Sequence, residues 1–306
     1  MMQINAIDPI VLGHNQFFGV NHLSSASGSE KARRFNNPDN VLGLIDYSVK
    51  LGVRGLMLST HPNVPMITDR IKQDLELRDK LNIYPLLPYI SKYVRSSNEK
   101  GIVNVILDMV RGAGIDDKLK LMLSGGMGLF QKDILKLLKT LIDVELMPFK
   151  GTNIKAVFLH DTLTDLALGL DLKSIFELYI QHISDGFSAI PAFATKNLPL
   201  FMKKTSKWGI ERPLVLSHIN RAGFQMNPSR EACEECLKAF DVRIMAMGTL
   251  ASGYLKPKDA YEYIFSLPRI ESVVAGVSTP EHARETFEII TSHMHESPGL
   301  QHKNRR

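Results

Sequence analysis

Lys155-Ala156-Val157-Phe158-Leu159-His160-Asp161 is the stretch whose reading decides the fold. Four apolar residues in a row, bounded by charge, are too few for a buried helix and suit a strand covered on both faces. The run stops abruptly at a histidine and an aspartate. Working outward, the same pattern recurs. Pro9 to Gly13 ends at His14-Asn15, Val53 to Leu58 at Ser59-Thr60-His61, Ile83 to Ile90 at Ser91-Lys92, and Pro213 to Ser217 at His218. In a barrel of parallel strands all such ends open on one face, where active sites are built.

The segments between these runs read as helices. Val41 to Leu51 has apolar residues at a helical period and stops at Gly52. Met66 to Leu81, Ser97 to Gly112, Phe130 to Leu141, Leu172 to Ile183 and Lys196 to Trp208 follow suit. Asn227-Pro228 is expected to open a further helix as N-cap and first residue, and Thr279-Pro280 the last one. Further strands are expected at Phe187 to Ile190, Val242 to Met247 and Ser272 to Ala275, and a short run at Leu119 to Leu123. Strands alternating with helices at a pitch of about 30 residues point to repeated βα units. A doubly wound sheet is the alternative, but so many consecutive units favour a (β/α)8 TIM barrel. Nine candidate strands are one too many, so one lies outside it.

With 306 residues, 44% hydrophobic and 23% charged, the chain has an ordinary globular composition. The length is expected to form one barrel domain over 1–296, with a flexible basic tail over 297–306. Two cysteines make no disulfide framework, and neither a leader nor a membrane-length apolar run is read from the sequence. A cytoplasmic protein acting on a small molecule is the expectation, with no membrane partner and the oligomeric state open. The net charge of +5 lies partly in the tail. No basic stripe with interleaved aromatics marks a nucleic-acid surface.

Two later segments carry a family resemblance. Met247-Gly248-Thr249-Leu250-Ala251-Ser252-Gly253-Tyr254-Leu255 resembles the pyrophosphate loop of the aldo-keto reductases. Ser272-Val273-Val274-Ala275-Gly276-Val277-Ser278-Thr279-Pro280-Glu281-His282 resembles that family's last strand and adenosine-phosphate loop. Val11-Leu12-Gly13 with Phe17-Phe18-Gly19, and the helix from Val41 to Gly52, are similar too. The likeness is strongest after Pro213 and weakest over 100–150. On its register Leu119 to Leu123 belongs to an insertion between strands 3 and 4.

The resemblance implies an aldo-keto-reductase-like barrel and NADP-linked carbonyl reduction by an Asp, Tyr, Lys and His set. Lys92 and His160 match two of those positions. Ser59-Thr60-His61 followed by Val64 replaces the family's Asp-Thr-Ala and tyrosine, which removes the usual proton donor. Gly248, Leu250, Ser252, Gly253, Gly276, Ser278, Thr279 and Glu285 are the implied cofactor-binding residues. The nicotinamide contacts differ: the family's Ser-Asn pair aligns with Phe193-Ala194, its glutamine with His218 and its stacking aromatic with Arg221.

The replacements bring their own chemistry. His14, His61, His160 and His218 at strand ends could share a divalent metal such as zinc, since imidazoles from separate strands are good ligands. Asp161 or Asn220 could supply an oxygen ligand or a supporting acceptor. His160, Lys92, His61 and Asp161 are the catalytic candidates, and Arg221, Asn220 and Asn15 the substrate-binding ones. Cys233-x-x-Cys236 lies on an apolar helical stripe with Ala232, Leu237 and Phe240, so core packing outweighs redox or metal use. The glycine-rich stretches at Gly112 and Ser124 lack a P-loop's lysine.

Three functions remain open on the sequence. The first is a divergent enzyme acting on a small polar or anionic metabolite, metal-assisted or not, as hydrolase or lyase. The second is an NADP-dependent oxidoreductase with an atypical proton donor such as His61. The third is a non-catalytic metabolite-binding barrel.

Overall fold

The computed structural model describes residues 6–18, 37–88 and 127–296. Eight parallel strands close into a ring: β1 Ile10–Leu12, β2 Gly55–Ser59, β3 Asn82–Leu87, β4 Ala156–Leu159, β5 Ile190–Thr195, β6 Leu214–His218, β7 Arg243–Met247 and β8 Ile270–Ala275. Each pairs with its sequence neighbour. Closure comes from β1 pairing with β8, in the register Ile10 to Val273 and Leu12 to Ala275. A two-residue piece, Asn153–Ile154, pairs with the start of β3 just before β4 takes over. This is the expected (β/α)8 barrel, with β1 a member of the ring.

Alternation within each strand divides two cores. In β4, Ala156 and Phe158 point into the barrel with Val11, Met57, Tyr84, Ala192, Leu214 and Met245. Val157 and Leu159 point outward into the larger layer between barrel and helices. All four residues are fully buried. Burial on both faces is why β4 reads as an unbroken apolar run rather than an alternating one.

Ten α-helices are present among the described residues: α1 Pro38–Lys50, α2 Val64–Gln73, α3 Leu75–Lys80, α4 Met127–Leu146, α5 Asp161–Gly169, α6 Lys173–Phe187, α7 Leu198–Lys207, α8 Arg230–Ala239, α9 Pro257–Ser266 and α10 Pro280–Glu296. Helix α1 starts as its sequence dictates: Asn37 accepts from the Asp39 amide at 2.9 Å and Pro38 fills the first turn.

Four expectations need correction. The single helix over Met66 to Leu81 is two, because Asp74 leaves helical geometry and caps α3 by accepting from the Glu76 and Leu77 amides. Helix α5 went unread, since Asp161 to Gly169 is short. The strand expected from Phe187 begins only at Ile190, because α6 runs on to Phe187. Helix α8 is capped by Ser229, whose hydroxyl accepts from Ala232, rather than by Asn227-Pro228. The segments expected at Ser97 to Gly112 and Leu119 to Leu123, and the tail over 297–306, lie outside the described residues.

The N-terminal end of the barrel, its base, is sealed by polar groups that satisfy one another. Asp8 accepts from Asn82 Nδ2 at 2.8 and 3.0 Å and from the Tyr84 hydroxyl at 2.5 Å, while its own amide donates to the same hydroxyl at 2.8 Å. Burial and the Asp8 carboxylate push the Tyr84 phenol far above its ordinary range, so it stays a donor. Ser272 donates to the Asp8 carbonyl at 2.7 Å. Alongside, Glu271 joins Arg243 at 3.0 Å and Arg212 at 3.2 Å.

Candidate active site

The other end of the barrel is its mouth. In β4 the inward positions are Ala156 and Phe158, and the next of that parity is His160. In β6 they are Leu214 and Leu216, and the next is His218. In β2 Met57 points inward, and Ser59 follows it. Strand parity alone therefore aims two histidines and a serine into one opening.

His160 is also the N-cap of α5. Its Nδ1 lies 2.7 Å from Asp161 Oδ1 and 3.2 Å from the Thr162 amide. One ring nitrogen cannot donate to the first and accept from the second. The shorter contact, to a carboxylate, fixes Nδ1 as the donor, and the Thr162 amide then donates to the Asp161 carboxylate. Burial alone would raise the Asp161 carboxyl. The His160 hydrogen bond and charge, with Lys196 behind them, overcome that and hold it well below the usual carboxylate range. Lys196 Nζ stands 3.4 Å from Asp161 Oδ2. The outcome is an imidazole whose orientation and tautomer are set by an ionised carboxylate, with Nε2 left to the mouth.

His14 follows β1 and is 8% exposed. Burial lowers its pKa to about 4; a hydrogen bond to the Met57 carbonyl opposes the shift, and the charges of His160 and His61 add to it. His14, His61 and His160 all follow C-terminal strand ends of the ring, and His14 is neutral at ordinary pH. His61 is half-buried and accepts from the Asn63 amide at 3.2 Å through Nδ1. His218 lies against Gly248. A Cβ there would come within 2.5 Å of His218 Cδ2, and Gly248 has φ +62, so both space and backbone demand glycine.

The sequence expectation of one shared metal fares differently. Among the described residues no group of three or more His, Cys, Asp or Glu side chains could hold a metal ion. His14 is bonded to a backbone carbonyl and His160 to Asp161, so two of the four rings are already oriented by protein partners.

Other candidates are placed as follows. Asn220 is wholly buried and spends its amide on its own loop, donating to the Phe224 carbonyl and accepting from the Phe224 amide, both at 2.8 Å. That local bonding makes it an architectural residue. Arg221 and Asn15 are exposed. Lys92 lies outside the described residues. Cys233 and Cys236 are buried thiols on α8, pushed by burial up to about 11 and about 12, as core cysteines should be. Sequence reasoning missed Lys196 and Thr195, whose hydroxyl bonds Asp165, because β5 was placed too early. A strand running to Thr195 would have shown both at its end.

The loop after β7 contains Gly248, Leu250, Ser252 and Gly253. Ala251, Ser252 and Gly253 are left-handed in succession, at φ 46, 59 and 94. After β8, Gly276 is exposed, Ser278 lies 3.4 Å from His282 Nδ1, and Thr279 caps α10 by accepting from the His282 amide. Glu285 is exposed on α10.

Comparison with known structures completes the picture. Over 95% of its length the chain superposes on 94% of a Pseudomonas aeruginosa protein classed with the aldo-keto reductases, with a TM-score of 0.61. This chain has the aldo-keto reductase fold. Sequence identity across that match is 11%. An aldo-keto reductase from a Medee basin deep-sea metagenome and one from Brucella melitensis each match at a TM-score of 0.53 and 12% identity. They match over 96% and 95% of this barrel and 92% and 93% of their own lengths, respectively. No family model and no curated protein matches the sequence. The pair expected to align with the family's nicotinamide contacts after the fifth strand lies inside β5, and Lys196 and Asn197 stand at that strand end instead. Phe193 lies inside β5 with its ring stacked 5.0 Å from Phe176 on the helix side, and Ala194 lies in the inner core. Val64, in place of the tyrosine, is fully buried.

Proposed function

We propose that this barrel is an enzyme that moves a proton on a small polar or anionic metabolite, with His160 as general acid/base and Asp161 holding its ring. The observation that carries the reading is the 2.7 Å contact between His160 Nδ1 and an Asp161 carboxylate kept ionised. A histidine oriented in this way presents Nε2 as acceptor when neutral and donor when protonated. Neutral His14 and partly buried His61 line the same opening. The test is proton NMR of a mixture of small hydroxy, oxo and amino acids in heavy water, following conversion or deuterium uptake at carbon. His160→Gln is expected to slow the reaction by about 10²- to 10⁴-fold. A rate within a factor of about ten of wild type in that variant overturns the assignment. A mixture left wholly unconverted marks the barrel as a binding protein instead.

NADP-dependent carbonyl reduction is the second reading, and the N-terminus of α10, just beyond the end of β8, favours it. A helix N-terminus can hold a phosphate, whereas in the loop after β7 the Ala251 and Gly253 amides already donate to the Gly248 and Leu250 carbonyls. Gly248, Leu250, Ser252, Gly253, Gly276, Ser278 and Thr279 would hold the phosphates. The bound dinucleotide would supply a hydride. Calorimetry with NADPH decides: saturable heat supports this reading, and none at millimolar cofactor removes it.

A further inference from the structure

Strand parity aims a further side chain at the mouth. In β5 the inward residues are Ile190, Ala192 and Ala194, and the next of that parity is Lys196. Thr195, of the opposite parity, is fully buried and donates its hydroxyl to Asp165 of α5. The other Asp165 oxygen accepts from the Lys196 amide at 3.0 Å. Thr195 Oγ accepts from the Asn197 amide at 3.0 Å, and Asn197 Oδ1 caps α7 by accepting from the Leu200 amide at 3.1 Å. The backbone of Lys196 is therefore held on both sides, and its side chain leaves from a fixed point.

Asp161 and Asp165 stand four residues apart on α5, so both turn toward the end of β5. Asp165 is spent on backbone and hydroxyl, Asp161 on charge. Asp161 Oδ1 takes the His160 ring at 2.7 Å, and Oδ2 faces the Lys196 ammonium at 3.4 Å. One nearly buried carboxylate thus lies between two groups that can both be cationic, with a single negative charge to offer them. By itself Asp161 would favour the protonated ring, and Lys196 offsets that preference. Other titratable groups facing this chain are Asp165, one helical turn behind Asp161, and the histidines of neighbouring strand ends. His14 interacts with both His160 and His61 and is itself neutral at ordinary pH, and His218 stands at the end of β6.

We infer that Lys196 is a positioning residue for the His160 site: its ammonium shares the Asp161 carboxylate with the imidazole and so sets how readily Nε2 takes up and releases a proton. As a statement about catalysis this rests on the acid/base reading of His160, and as a statement about the titration of the ring it stands alone. No proton passes through Lys196. It acts by charge, at the far oxygen of the carboxylate that orients the ring.

The test is an NMR titration of the histidine ring carbons in the full chain, the His160 signal being the one lost in His160→Gln. In Lys196→Met the midpoint of that signal should rise by about half a pH unit to one pH unit, because the opposing positive charge is gone. Lys196→Arg keeps the charge and should stay within about 0.2 of a pH unit of wild type. Both variants should melt within about 2 °C of wild type, since a half-exposed ion pair contributes little to stability. The inference is overturned if Lys196→Met leaves the midpoint unmoved or lowers it. It is equally overturned if Lys196→Arg shifts the midpoint as far as Lys196→Met, or if Lys196→Met melts more than about 5 °C lower, either of which marks a packing role. Loss of turnover in His160→Gln with an unmoved midpoint in Lys196→Met removes the role of Lys196 and keeps the acid/base reading. Retained turnover in His160→Gln with a raised midpoint in Lys196→Met does the reverse.

Discussion

The two ends of this barrel use polar residues in opposite ways. At the base, Asp8, Asn82, Tyr84 and Ser272 bond to one another, and Glu271 pairs with Arg243 and Arg212. At the mouth, Ser59 Oγ and Gln16 Oε1 are buried without such partners, a histidine is held neutral by burial, and three consecutive residues of one loop are left-handed. Closure of the base stabilises the ring. The mouth carries strain and unmet hydrogen-bonding capacity, which is the usual mark of a site kept ready for a ligand.

The largest effect that can break this comparison is the pH dependence of His14. Its pKa falls from 6.5 to about 4 on folding, so the unfolded chain binds the proton more tightly. Stability is therefore full above about pH 6.5 and lost as pH falls toward 4, by about 3 kcal/mol. Asp161 remains ionised throughout that window and does not confuse it. Chemical denaturation of wild type and His14→Asn at both ends of the window measures the effect. An unchanged pH slope in the variant would place the titration elsewhere.

Gly248→Ala comes next. A Cβ 2.5 Å from the His218 ring on a backbone at φ +62 should cost about 2–3 kcal/mol. It should also move the His218 ring signals in NMR. Wild-type stability and spectra would show that the loop relaxes freely.

Tyr84→Phe probes the base. Leaving Asp8 short of one donor should cost about 1–2 kcal/mol. Its counterpart at the mouth is Ser59→Ala, expected within about 0.5 kcal/mol of wild type or more stable. The contrast between these two hydroxyl deletions sharpens the comparison most directly. If both destabilise alike, the mouth is as internally satisfied as the base.

The barrel itself was legible because its strands are buried on both faces. Ala156 to Leu159, Leu214 to His218 and Arg243 to Met247 stand out as apolar runs between amphipathic segments. Less visible was anything depending on a capping side chain. Asp74 divides one periodic stretch into two helices, and periodicity carries no trace of that. Strand β5 was misplaced because Phe187 looks like strand sequence yet completes α6, and the error hid Lys196.

By itself the sequence determined the alternation of strand and helix, and with it which residues end the strands: His14, Ser59, His160 and His218. Those facts follow from local pattern, since residue parity on a strand and the position of the first polar residue are properties of adjacent positions. Only the tertiary structure decided what these residues are bonded to. The described residues bring no three metal-ligating side chains together, His160 was joined to Asp161 and Asp161 to Lys196, Asn220 was turned back on its own loop, and Gln16 was laid across Gly276. Pairings of that kind depend on side-chain direction and on which strand ends meet across the closed ring, which no pattern along the chain records.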